Sequence, residues 1–342
     1  MRAIVFDAPG SMRFEDRPVP TPGEREVLIK TAAVGICGTD IHLFDGEFEG
    51  AGFPMVPGHE ASGWVEAVGD GVTSLAPGDP VTVNPNTMCG FCEFCQDGRS
   101  NLCRAWDGRG VMQTDGCCQE YFTAPIENVY KLQPTTDVYA ASLVEPLACA
   151  VRAFDALPRR MGSHYLIYGA GTMGLMMAEL APRAGAASVT IVARSPRRQA
   201  VAEEMNLGTV ISDTADGRDG GYDVVVDATG NPDAIQDGIE QVKPGGTFQM
   251  FGVAPAESLN TFSPFKLFRD EITIAGSKIV LNSFGRAVEM FEAGAINHKA
   301  LVSHSFTLDE YEKAFDLFRS GGGRKIQIRP NDTTSRVFID AE

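Results

Sequence analysis

Four cysteines in fifteen positions, CGFCEFCQDGRSNLC from Cys89 to Cys103, take half of the eight that the chain contains. Their spacing, C-x2-C-x2-C-x7-C through Cys89, Cys92, Cys95 and Cys103, lets four thiolates close a tetrahedral shell at ~2.3 Å around one zinc ion. A closed shell has no position for a substrate, so this ion holds a loop and performs no reaction. An iron–sulfur cluster is the rival, since it also uses C-x2-C-x2-C, but it adds a fourth cysteine at short spacing followed by Pro. Here seven residues intervene and Arg104 follows. The segment FCQDGRSN has little apolar content of its own, and a bound ion would supply its folding energy.

Chemistry must then come from elsewhere. GICGTDIH supplies Cys37, PGHEASG supplies His59 and Glu60, and VEPLACA adds Glu145. Cysteine, histidine and one carboxylate make three protein ligands and leave a fourth place open, as a catalytic zinc requires. Singly they are weak: Cys37 reads as small apolar filler, His59 as a structural histidine and Glu145, before Pro146, as a solvent-facing carboxylate. A third constellation, YGAGTMG, places Gly169, Gly171 and Gly174 in G-x-G-x-x-G with Thr172 and Met173 between them. It follows the apolar run HYLIY and opens a helical segment, so its backbone N–H groups would meet a pyrophosphate at a helix N-terminus. A second strand, SVTIVA, completes the context that makes the motif specific.

About twenty residues on, an NAD-binding domain places a carboxylate for the ribose 2′-hydroxyl. ARSPRR stands there instead, with Arg194, Arg197 and Arg198 as cations and Ser195 as a hydroxyl donor. Guanidinium groups match a phosphate's geometry, so NADP(H) is expected over NAD(H). The competing reading is a basic helix start in water.

The elements that must position these groups divide the chain. Residues 1 to 150 read as short apolar runs broken by Gly and Pro, such as VLIKTAAVGI and DPVTVNP, and imply a mainly β domain carrying the cysteine lobe at about 86–106. From 151 to 284 strands alternate with helical segments, the pattern of a doubly wound parallel sheet of Rossmann type. From 285 to 342 two amphipathic helices, FGRAVEMFEAG and LDEYEKAFDLFRSG, flank LVSHSF, and this part is expected to rejoin the first domain. The tail NDTTSRVFIDAE reads as a packing arm or a disordered end. The 342 residues suffice for two cores. A net charge of −16, from 45 acidic against 29 basic residues, would repel nucleic acid and favours solubility, or suits a salt-rich cytoplasm. No run approaches the ~20 apolar residues of a membrane span. The start, MRAIVFDAPG, lacks a signal peptide's apolar block, so a cytoplasmic location is expected. There, reduced cysteines favour metal over disulfides.

The unbroken string G-H-E-x2-G-x5-G-x2-V, from Gly58 through His59, Glu60, Gly63 and Gly69 to Val72, resembles the zinc-dependent medium-chain dehydrogenase/reductase family, and closely its polyol dehydrogenase and ketose reductase branch. The resemblance spans about residues 1 to 330. It implies a GroES-like catalytic domain with a Rossmann domain inserted, and two zinc ions per chain. Cys37, His59 and Glu60 look like the catalytic zinc ligands, and Glu145 matches a position that reaches the ion directly or through water. Thr39 places a hydroxyl beside the metal, His42 would carry the proton to solvent, and Asp40 looks like the acceptor for the ring N–H of His59. The function implied is a reversible hydride transfer between NADP(H) and a polyol, ketose or sugar. Threonine or aldose dehydrogenases with the same zinc chemistry are the alternatives, and a non-catalytic nucleotide-binding protein is the remaining one. Sorbitol dehydrogenases carry an Arg-Tyr pair where this chain has Ile279 and Val280, which leaves other pentitols, hexitols and ketoses open. The family implies a homodimer or homotetramer. Cys117, Cys118 and Cys149 read as packing residues.

Overall fold

The strand Glu26–Gly35, EVLIKTAAVG, is apolar almost throughout and buried on both faces, as a central strand must be. In the computed structural model, which describes every residue except 49, 159 and 340–342, it pairs antiparallel with Glu60–Val68, Tyr121–Pro125 and Lys325–Arg329. These belong to an eight-stranded sheet in the first of two compact units, Met1–Ala148 with Val280–Glu342. Its core gathers Ile4, Val34, Val65, Phe122 and Ile328. In the helix Tyr311–Arg319, apolar residues recur at helical spacing, so Tyr311, Ala314 and Phe315 turn inward together. There Phe315 meets Phe44 edge to face at 5.1 Å.

The C-terminal tail packs on this unit. Arg336–Val337 adds a short antiparallel strand to Val302–Thr307, and the Asn331 amide donates to the carbonyls of Thr31 and Glu120. The Arg329 guanidinium lies 4.2 Å from the Tyr139 ring centre and 5.0 Å from that of Phe338. The last three residues of the tail fall outside the described ones.

The second unit, Cys149–Ile279, carries a six-stranded parallel sheet. Its order runs Thr209–Ile211, Ala186–Val192, Ser163–Tyr168, Tyr222–Asp227, Val242–Met250, Thr273–Gly276. This is the doubly wound Rossmann arrangement, and the strand order reverses beside Ser163–Tyr168, where such sheets open a crevice. The helix after that strand runs Thr172–Leu180 and tightens to a 3-10 turn at Ala181–Ala184, where Pro182 cannot extend the α-helical ladder. Among the described residues no helix is long and apolar enough to cross a membrane.

Candidate active site and metal centres

Cys37 sits at the N-cap of the short helix Gly38–Phe44, held by a capping box in which the Asp40 Oδ2 accepts from the Cys37 N–H at 2.8 Å. His59 and Glu60 arrive at the start of the neighbouring strand Glu60–Val68, which aligns Glu60 with Gly35. One ligand atom each from Cys37, His59 and Glu60 lies within 4.8 Å of the others. His59 and Glu60 are buried, and Cys37 is partly so.

The chemistry of this donor set fits a cation. His59 Nδ1 and Asp40 Oδ1 are both buried without a hydrogen-bond partner and face each other at 3.7 Å. That is longer than a hydrogen bond, because the cap fixes the carboxylate through its other oxygen. Nδ1 is thus directed to Asp40 and Nε2 remains for an ion. Burial alone would push the His59 imidazolium down, but the charge of Asp40, followed by Cys37 and Glu145, outweighs it and carries its pKa up to about 10. Glu145, buried in the first turn of Val144–Asp155, is not in the three-atom cluster, although its charge reaches both His59 and Lys325. Thr39 Oγ1 lies 3.8 Å from the Cys37 sulfur. His42, one turn on along the same face, pairs through Nδ1 with Glu47 Oε2 at 2.6 Å, where the side chains reach solvent.

In the lobe, Cys89, Cys92, Cys95 and Cys103 bring their sulfurs within 4.8 Å of one another. Backbone N–H groups turn toward the sulfurs: that of Cys89 reaches Cys103 Sγ and that of Cys92 reaches Cys89 Sγ, each at 3.4 Å. The N–H groups of Arg104 and Cys95 pull the Cys92 thiol down to about 6, while desolvation pushes the neighbouring Cys95 thiol up to about 12. Donors aimed at sulfur favour thiolates, which suits a structural zinc. Cys117 and Cys118 lie instead in the apolar core, where burial pushes the Cys117 thiol up to about 12.

In the second unit, Gly169 adopts φ +102° and Gly171 is the N-cap of Thr172–Leu180, so Thr172 and Met173 fall in the first turn. A Cβ on Gly174 would stand 1.8 Å from the Gly169 carbonyl oxygen, so only glycine lets the turn close this tightly. Beside it opens a cavity of about 500 Å³ lined by Gly169, Ala170, Arg194, Ser195 and Arg198 among others. Asp213 and Asp237 also line it, but Asp213 accepts from the Ala215 N–H and Asp237 from the Tyr168 and Thr214 hydroxyls. Neither Arg194 nor Arg198 makes an ion pair among the described residues. Arg197 does not line the cavity.

Sequence reasoning missed Lys325. It opens the strand KIQIR, every residue of which is buried, and its Nζ donates to Glu60 Oε1 and Oε2 at 2.8 and 2.6 Å and to the Ile36 carbonyl at 3.1 Å. Burial works against this ammonium, but Glu60, Cys37 and Glu145 outweigh it and hold its pKa above the usual lysine value. The burial that demands a carboxylate partner for this charge is visible only in the fold, and the sequence carries no signal for it.

Two family models match: the alcohol dehydrogenase GroES-like domain over residues 23–134 and the zinc-binding dehydrogenase over residues 172–293. The chain is 35% identical over 344 residues to D-arabinitol dehydrogenase 1 of Uromyces fabae, with 97% of each chain covered. It is 32% identical to sorbitol dehydrogenase of Homo sapiens, with 96% of each covered. Among solved structures, a zinc-binding dehydrogenase of Sinorhizobium meliloti 1021 bound to NADP superposes with a TM-score of 0.90 at 32% identity, covering 96% of this chain and 99% of that one.

Proposed function

The chain belongs to the zinc-dependent medium-chain dehydrogenase/reductase family, in its polyol dehydrogenase branch, and on that premise we propose that it transfers a hydride between NADP(H) and a pentitol, hexitol or the corresponding ketose. The carrying observation is the buried Cys37, His59 and Glu60 cluster, three ligands of the kind a catalytic zinc takes. When bound, zinc supplies a Lewis acid and the nicotinamide a hydride donor or acceptor. Cys37, His59 and Glu60 would hold the ion, with Glu145 beside them. Thr39 Oγ1 would take the substrate hydroxyl proton as its own proton passes on to His42, which with Glu47 releases a proton to solvent. Gly169, Gly171 and the first turn of the following helix receive the pyrophosphate, while Arg194, Ser195 and Arg198 receive the 2′-phosphate, with Arg197 adding charge alongside. The names of the arabinitol and sorbitol relatives and the NADP bound to the Sinorhizobium protein support this reading. The working assembly is a dimer or tetramer.

The test is turnover of D-arabinitol, sorbitol, threonine and glucose with NADP+ and with NAD+. Polyol oxidation with NADP+ preferred is expected. Arg194→Asp should lower kcat/KM for NADP+ by about 10- to 100-fold, the loss of ~1.4–2.8 kcal/mol of binding, and leave NAD+ nearly unchanged. Equal losses with both cofactors would overturn the NADP assignment. Turnover confined to threonine or glucose would move the substrate class, and none at all with two zinc ions bound would favour a nucleotide-binding protein.

A further inference from the structure

The lysine that grips Glu60 adjoins the Cys37, His59 and Glu60 cluster. Glu60 and Lys325 extend from strands on either side of Glu26–Gly35, and they meet over Gly35, the last residue of that strand. A Cβ at Gly35 would stand 2.0 Å from Glu60 Oε2 and 3.2 Å from Lys325 Cδ, so glycine at this position is what lets the pair close. The side chains are 1% and 4% exposed, and solvent therefore does not screen the contact. Both carboxylate oxygens accept from the ammonium, and the third lysine donor goes to the carbonyl of Ile36, next to Cys37. Against a dication, the Cys37 thiolate and the carboxylates of Asp40, Glu60 and Glu145 would leave two surplus negative charges, and Lys325 would offset one of them.

We propose that Lys325 is a positioning residue that competes with the metal ion for the Glu60 carboxylate, so that Glu60 is an exchangeable ligand and Lys325 sets how fast the ion leaves this centre. This rests on Cys37, His59 and Glu60 being the metal cluster. The experiment follows transfer of zinc from the loaded protein to a chromogenic chelator. Two release phases are expected, and Cys37→Ala, which keeps only the lobe, identifies the phase of the open centre. In Lys325→Met that phase slows by about tenfold, the scale of changes to groups that contact metal ligands, and Lys325→Arg restores the wild-type rate. Lys325→Gln keeps an N–H donor for Glu60 without the charge, and repeats the measurement if the Met variant does not fold. An unchanged or faster release in the folded variant overturns the inference. A wild-type protein with only the lobe phase would instead overturn the reading of the cluster as a metal centre.

Discussion

The two candidate metal centres are assembled in opposite ways. The lobe draws four identical donors from fifteen consecutive residues, in a segment whose only regular elements are the helix Glu93–Gln96 and a 3-10 turn at Ser100–Leu102. With three of its four cysteines only partly buried, the loop would depend on a bound ion to organise it. The open centre draws unlike donors from separated segments that meet only because the sheet brings them together: a capped helix start, the beginning of one strand and, through Lys325, the beginning of another. There the sheet and the capped helix supply the framework of the site. Removing the first ion should therefore cost stability, and removing the second should cost chemistry.

The sharpest way to break this contrast is Cys37→Ala. Expected are loss of one of two zinc ions by metal analysis, a fall in kcat/KM of ~10³ or more, the scale of Lewis-acid polarisation, and an unchanged circular dichroism spectrum. Cys95→Ser should do the reverse, losing the other ion and ~4 kcal/mol or more of stability in denaturant titrations, the tail occupied by lost metal sites. Turnover per folded molecule should survive. If Cys37→Ala unfolded the chain as readily as Cys95→Ser, the open centre would not be preorganised and the contrast would fail.

The same difference decides what could be read in the sequence. The lobe was legible because its donors are contiguous, and the Rossmann unit because strand, G-x-G-x-x-G and helix follow one another without a gap. The Glu60–Lys325 pair was not, since 265 positions separate its members and no local pattern marks a cross-strand ion pair. Asp40 was assigned to His59 alone. Its second task, capping the helix at Cys37, follows from a C-x2-D spacing that reads as a capping box only once the helix is known. The arginine run suggests the proposed phosphate site but not which of its members reach the cavity. Arg197 and Arg198 are neighbours on Pro196–Glu204, and successive helical residues point ~100° apart, so only one of them lines the cavity.

Smaller effects sharpen the comparison by separating charge from geometry. Asp40→Asn keeps an oxygen acceptor for the Cys37 N–H and removes the negative charge opposite His59. Zinc affinity of the open centre, measured by chelator competition, should fall by about 10- to 100-fold, with the lobe ion retained. An equal loss at both centres would mean the substitution had disturbed the unit as a whole.

The pH dependence tests the same charge without a mutation. In metal-free protein the His59 pKa is raised from 6.5 to about 10, so the stability it contributes is complete below pH 6.5 and is lost as pH rises toward 10. Zinc needs the ring neutral, which reverses the sign: for that proton alone, affinity rises by about tenfold per pH unit until the proton is gone. The gap between the melting temperatures of zinc-loaded and metal-stripped protein should thus widen from pH 6.5 toward 10. Its excess over the gap in Cys37→Ala, which keeps only the lobe, reports the open centre. An excess that narrowed with pH would place His59 neutral in the metal-free site and remove Asp40 as the group that holds its charge.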